Sequence, residues 1–307
     1  MRPTCAIPTY GADLSNCDLR GTQLGGADLT DANLFGADLR DGTLMTAAAE
    51  GGTKFVNAES SNLEMEWGSL KGANLEGANL GSAKLTGIKV KDTNMRGVKL
   101  SNTSMEGVDL SGRDLTGAEI VISVDSLPDD LHDTIRNHEK WMASFGAKGK
   151  RAVLDGAELD NVEFSGINLS GASMKDAALT SARFMGSSLN IADLSGANIY
   201  KGKLDKAEMN GINLSCADLT EASLTEADIS AADIKDREGN STGRSWPANL
   251  SEANLSRCNL TAAILRGAIL SNSNCNGANL RGADLSNTSI DGARLQGAII
   301  TEAKLPN

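Results

Sequence analysis

An apolar residue, most often leucine, recurs at nearly every fifth position of this 307-residue chain, and that period restricts the fold more than any other feature. The triplet that carries it is Ala-Asp-Leu or Ala-Asn-Leu. It stands at Ala12-Asp13-Leu14, Ala32-Asn33-Leu34, Ala73-Asn74-Leu75, Ala217-Asp218-Leu219 and Ala283-Asp284-Leu285. A period of five fits neither the turn of an α-helix nor the two-residue alternation of a strand. A short period sustained over most of a chain requires a solenoid, in which each repeat buries its apolar side against its neighbours.

With the central apolar residue called i, position i−2 is small, as at Ala12, Ala78, Ala157, Ala253 and Ala303. Position i−1 is polar. Position i+2 is often glycine, as at Gly77, Gly97, Gly166 and Gly282. One large and one small inward residue per repeat fill a narrow tube at interior density. The glycines suit a tight turn with one positive φ, and the remaining positions face water.

This A(D/N)LxG pattern resembles that of the pentapeptide repeat proteins, over about four-fifths of the chain. The resemblance implies an all-β solenoid, a right-handed quadrilateral β-helix with four repeats, or twenty residues, per coil. Repeats run in phase from Leu14 to Leu44, slip by one residue, continue from Phe55 to Ile120, and resume from Leu154 to Ile234 and from Leu250 to Leu305. We read two β-helical lobes, residues 1–122 and 150–307, with a helical cap or linker, 123–149, between them. Residues twenty apart should stack, which puts Phe164 on Phe184 and lines up Met65, Leu85 and Met105.

Composition narrows the function. The net charge is −11, and an acidic surface argues against direct nucleic-acid binding, which needs Lys and Arg to displace counterions. No apolar run is long enough to span a bilayer, and Met1-Arg2-Pro3-Thr4-Cys5 lacks the apolar core of a secretory signal. The five cysteines show no metal-ligand spacing. Cys17 and Cys258 fall on i−2 and Cys275 on i, so these three are expected to be buried thiols. Reduced thiols without a signal point to the cytoplasm. Neither a cofactor nor a metal is expected.

The repeat breaks in three places. Over 121–150, Ser126-Leu127-Pro128-Asp129 has the form of a capped helix start. Leu131, Ile135, His138, Met142 and Phe145 then share one face at helical spacing, and Gly146 supplies a stop. The spacing predicts an amphipathic helix of about five turns over 126–146, either capping the second array or inserted beside one continuous stack. His132 and His138, six residues apart, do not form the i, i+4 pair of a zinc site, so His138 is read as a hydrogen-bonded packing residue. The second break, 235–247, is polar and glycine-containing and predicts a projecting loop. The third is the slip at 46–53, followed by Leu63 at an i−2 site and by Trp67, which either faces a partner or packs against the displaced segment. Arg113 occupies an inward site, where the wall is expected to open.

No Ser-His-acid set, phosphate-cradling glycine loop or metal cluster stands out, so the chain is not read as an enzyme. The reading that fits best is a cytoplasmic interaction or scaffold protein that presents rigid flat faces to a protein partner. Candidate contact residues are Trp67, Trp141, Arg237, Arg244 and Trp246, and the ends of a β-helix also allow homo-oligomers. The alternative is a DNA mimic that binds DNA gyrase or another topoisomerase, as in the quinolone-resistance branch of the family. Against it, ~60 Å of duplex carries about thirty-five charges, and the basic residues between Lys84 and Lys99 interrupt any phosphate-like stripe.

Overall fold

Backbone hydrogen bonding explains why the repeat has five residues and why its polar position is Asp or Asn. The structure is a computed structural model that describes the chain apart from residues 1–10, 23, 25–28, 41–69, 84, 86–87, 102, 104–107, 112, 237 and 307. The repeat at Leu169 is representative of the coil. The Leu169 N–H donates to the Ser188 carbonyl one coil on, at 2.7 Å, and Gly171 N–H donates to Asn190, at 2.8 Å. Returning from the next coil, Ser188 N–H donates to Ile167, at 3.1 Å. Ala172 N–H closes the turn onto Leu169, at 3.0 Å. Only the i+1 amide is left, and the i−1 side chain takes it: Ser170 N–H donates to Asn168 Oδ1, at 3.0 Å. The same bond recurs from Ser195 to Asp193, Ser215 to Asn213, Thr220 to Asp218, Ser251 to Asn249 and Thr261 to Asn259. Every donor of such a repeat is satisfied without a continuous strand. Each side of the coil therefore contributes a single bridging residue between turns, not the extended strands that the term all-β suggests.

The chain divides into two compact units, Met1–Ile122 and Ser123–Asn307. In the first, parallel ladders join Asp13, Asn33, Asn74 and Asn94 on one side and Asp18, Asp38, Asn79 and Lys99 on the next. Short strands β1 (Lys99–Ser101) and β2 (Glu119–Ser123) pair in parallel, Leu100 opposite Ile120. Neighbours in a ladder are twenty apart, as with Asn33 and Asp13, except that Asn33 bridges directly to Asn74, 41 residues on. The slip at 46–53, Leu63, Met65 and Trp67 lie outside the described residues, as does Met105; Leu85 is buried. Leu14 and Leu19 at one end, and Leu110, Leu115 and Ile120 at the other, are only partly buried. Cys17 shares that position and is half-buried rather than buried, because its coil has a stacked neighbour on one side only among the described residues. Arg113 is likewise half-exposed, its Nε donating to the Ser111 carbonyl at 3.3 Å.

The second unit opens with a 3₁₀ turn, Val124–Ser126, and helix α1, Asp129–Ala143. This helix is shorter than the expected 126–146. The hydroxyl cap falls one turn early, on Ser123, which accepts the Asp125 N–H. α1 itself begins after Pro128 without a side-chain cap. Ile135 and His138 are buried as expected, but Phe145 is fully exposed. It adopts φ 51° beyond the last turn, while Gly146 N–H reaches back to the Trp141 carbonyl at 2.8 Å, so the chain leaves the helix before the ring can join the apolar face.

Four parallel ladders follow, begun by Val153, Glu158, Glu163 and Asn168; β3 (Val162–Glu163) lies in the third. Leucines and alanines line the interior, and Phe164 stacks on Phe184 with ring centroids 4.9 Å apart and an interplanar angle of 12°, as the twenty-residue phase requires. Each fully buried leucine contributes about 1.5–3 kcal/mol. Cys258 and Cys275 are buried, and burial pushes both thiols up from the usual cysteine range. Cys216, at a turn position, is exposed.

The second array ends its run at Ile229, not Ile234. Ala232-Asp233-Ile234 looks like a repeat triplet but belongs to strand β4 (Ala232–Lys235), which pairs antiparallel with β5 (Ser241–Trp246). The expected loop is thus a β-hairpin.

The third residue of each turn has positive φ, and many of these residues are not glycine. Ile191, at φ 58° and 60% exposed, is the costliest of them, because a β-branched side chain crowds the left-handed backbone. We expect Ile191→Gly to stabilise the protein by about 1 kcal/mol, a rise of ~2–4 °C in the calorimetric midpoint. An unchanged or lower midpoint would refute the strain argument.

Candidate functional site

Two features leave the smooth walls of the second unit, α1 and the β4–β5 hairpin. α1 lies against the first coil. Lys150 N–H donates to the Asn137 carbonyl at 3.2 Å, and Ala152 N–H donates to His138 Nδ1 at 3.0 Å. The His138 ring stacks on Trp141, 5.5 Å between centroids. Trp141 is thereby held on the helix and is partly buried. Beside it a cavity of about 400 Å³ opens between Glu139, Met142 and Ala143 of α1 and Ser165–Asn168 of the first coil.

The outer side of α1 is charged. Arg136 bridges Asp125 and Glu139, with Nη1 2.9 Å from Glu139 Oε2, and His132 Nε2 lies 3.4 Å from Asp125 Oδ1. The Arg136 hydrogen bond, ahead of its charge, holds the Asp125 carboxyl below its ordinary range. His132 Nε2 accepts Arg136 Nε at 3.3 Å and so borders these ion pairs, and His138 is the packing residue expected from the sequence.

In the hairpin every residue of β5 is exposed. Trp246 pairs with Ala232 and Arg244 with Ile234, so these four share one side of the ribbon. Trp246 is 58% exposed, yet its ring edge rests on the array: a Cβ on Gly211 (φ 66°) would lie 3.2 Å from Trp246 Cδ1 and 2.9 Å from Ala232 Cβ. At the hairpin tip Asp236 accepts the Asn240 N–H at 2.8 Å, the main cause of its lowered pKa. Arg237 lies outside the described residues, as Trp67 does. Trp141 and Trp246 belong to different features, and no contact brings them together among the described residues. The sequence reading missed Gly211, a repeat glycine one coil before the insertion with nothing local to distinguish it.

Some acids on the walls are paired with bases. Asp284 accepts Arg266 at 2.7 Å and Lys304 at 3.4 Å, and with the Ser286 hydroxyl as the largest cause its carboxyl is held well below the usual range. Glu221 takes Arg257 at 2.7 Å and Lys201 at 3.8 Å; Glu226 takes Lys206 and Glu302 takes Arg281. No group of His, Cys, Asp and Glu among the described residues could hold a metal ion, and among them no helix is long and apolar enough to cross a membrane.

Four ladders of single-residue bridges, with a turn at every fifth residue, define the class: a four-sided repeat solenoid. Within it the chain belongs to the pentapeptide repeat family. The Pentapeptide repeats profile matches residues 10–47, 73–112, 93–120, 150–186, 192–230, 248–287 and 268–307. Among solved structures it is similar to HetL of Nostoc sp. strain PCC 7120, a pentapeptide repeat protein involved in heterocyst differentiation regulation. Identity there is 21%, covering 97% of this chain and 91% of that one, with a TM-score of 0.19. It is also similar to QnrB1, a plasmid-mediated fluoroquinolone resistance protein (16%, 75% and 83%, TM-score 0.25), and to Rfr23 of Cyanothece 51142 (24%, 47% and 90%, TM-score 0.17). No curated protein matches.

Proposed function

We propose that this is a non-catalytic, cytoplasmic interaction or scaffold protein, its two β-helical lobes presenting flat faces to a protein partner. The observation that carries the reading is the exposed β4–β5 hairpin, which holds Trp246 and Arg244 on one side of a ribbon supported at Gly211. An indole and a guanidinium on a fixed base are the side-chain types that dominate binding energy at interfaces. Trp141 on α1 is a second contact candidate. Counting against the DNA-mimic alternative, Glu221, Glu226, Asp284 and Glu302 are each paired with a Lys or Arg, which lowers the net negative charge they present.

Cross-linking of the full chain in cell extract, followed by affinity measurement with the captured protein, tests the reading. The double substitution Arg244→Ala and Trp246→Ala should weaken binding at least tenfold, about 1.4 kcal/mol, while thermal stability stays within ~0.5 kcal/mol. Undiminished affinity would remove the hairpin from the interface. Inhibition of gyrase supercoiling at low micromolar protein would instead favour mimicry.

A further inference from the structure

The contact between α1 and the first coil depends on a histidine that has to stay neutral. His138 is fully buried. Its Nδ1 accepts the Ala152 N–H, so the neutral ring carries its proton on Nε2. Nε2 has no hydrogen-bond partner among the described residues, and the charged form is favoured only by the Glu139 charge and, less, by the Ser170 backbone. Protonating Nδ1 would set two N–H groups against each other, breaking the bond to Ala152 and leaving a cation in an apolar seam.

We propose that His138 is an acid-sensitive latch: proton uptake at this ring releases α1 from the first coil of the second unit while the coils beyond it stay folded.

The groups that face the ring divide against the charged state. Burial and the Arg151 charge, at the start of the coil, lower its pKa, and Glu139 on the helix only partly offsets them. The unfolded or released helix takes up its proton near the ordinary imidazole value of 6.5, and the docked ring resists to lower pH. Stability of the docked state is therefore full above about pH 6.5 and falls as pH drops through the docked ring's pKa. The stacked coils carry no such group: among the described residues their buried side chains are apolar apart from hydroxyls, thiols and Asp284, whose carboxyl is held well below this range. Release would uncover Ile135 and loosen the stacking that holds Trp141.

Hydrogen–deuterium exchange of the full chain between pH 7.5 and 4.5, corrected for intrinsic rates, tests this. Peptides spanning 129–143 should lose at least tenfold protection on the acid side, while those spanning 248–285 keep theirs. His138→Gln, whose side-chain oxygen can still accept the Ala152 amide, should flatten the step in α1. Arg151→Met, by relieving the charge that opposes protonation of the docked ring, should shrink the acid-side loss of protection in α1, which keeps the test informative even where the glutamine docks poorly. The latch is overturned if α1 and the distal coils lose protection together, or if the step persists in His138→Gln and keeps its full size in Arg151→Met.

Discussion

Gly149→Ala should undock α1, a larger loss than a glycine in a connecting segment normally suggests. Gly149 has φ 72°, and a Cβ there would lie 2.1 Å from the Asn137 carbonyl oxygen and 2.8 Å from the Trp141 nitrogen. Both are helix backbone atoms, so no rotamer change relieves the clash. Left-handed strain adds to it. The helix has to lift, and with it go the Lys150–Asn137 and Ala152–His138 bonds. We expect a loss of about 3 kcal/mol or more, read as exchange of the α1 amides at pH 7.5 in a protein whose coils from 172 onward remain protected. A stability within 1 kcal/mol of the parent would mean that the seam is looser than its geometry requires.

Phe184→Ala should be the other costly change. Its ring lies between Phe164 in the coil before and Leu204 in the coil after, fully buried, and the narrow tube offers little slack to close a void. Truncation should cost about 3–5 kcal/mol. Phe184→Leu should cost under about 1.5 kcal/mol, since leucine already fills that column at Leu204 and Leu224. A double-mutant cycle between Phe164 and Phe184 should show ~0.5–1.5 kcal/mol of coupling. Equal costs for alanine and leucine in chemical denaturation would show that the coils shift to absorb the loss.

The five-residue phase made the interior legible. It determines which side chains share a column, and Phe164 and Phe184 stack because no other arrangement keeps leucine and alanine inward. The phase alone was silent on the preference for Asp or Asn at i−1, which becomes clear only when each backbone donor is traced and the i+1 amide is found without a backbone acceptor. It also misled at one point. Ala232-Asp233-Ile234 has the composition of a repeat but leaves the stack, because Ser241–Trp246 offers it an antiparallel partner, and β5 has no alternating apolar pattern to announce itself. Helix α1 was visible from its spacing. Its end was not, since Phe145 fits the apolar face by number and is carried off it by one left-handed residue. Of the contact candidates, Trp246 and Arg244 were found as parts of an insertion, whereas the Gly211 support depends on a close approach that sequence does not encode locally.

The ladders show how the stack treats added chain. Asn213 Nδ2 reaches Asp193 twenty residues back, and the next step down the same side runs to Asn249, with 36 residues separating Cys216 from Glu252 at the adjoining corner. Despite the longer excursion the columns resume in the same phase. Closing a longer loop costs only about 0.6 kcal/mol per doubling of its length, while each re-entered coil regains its full set of bonds. A corner can thus act as a socket. Different appendages can be exchanged there without the coils above or below having to change, so new binding specificities can be tried one corner at a time on an unaltered shaft.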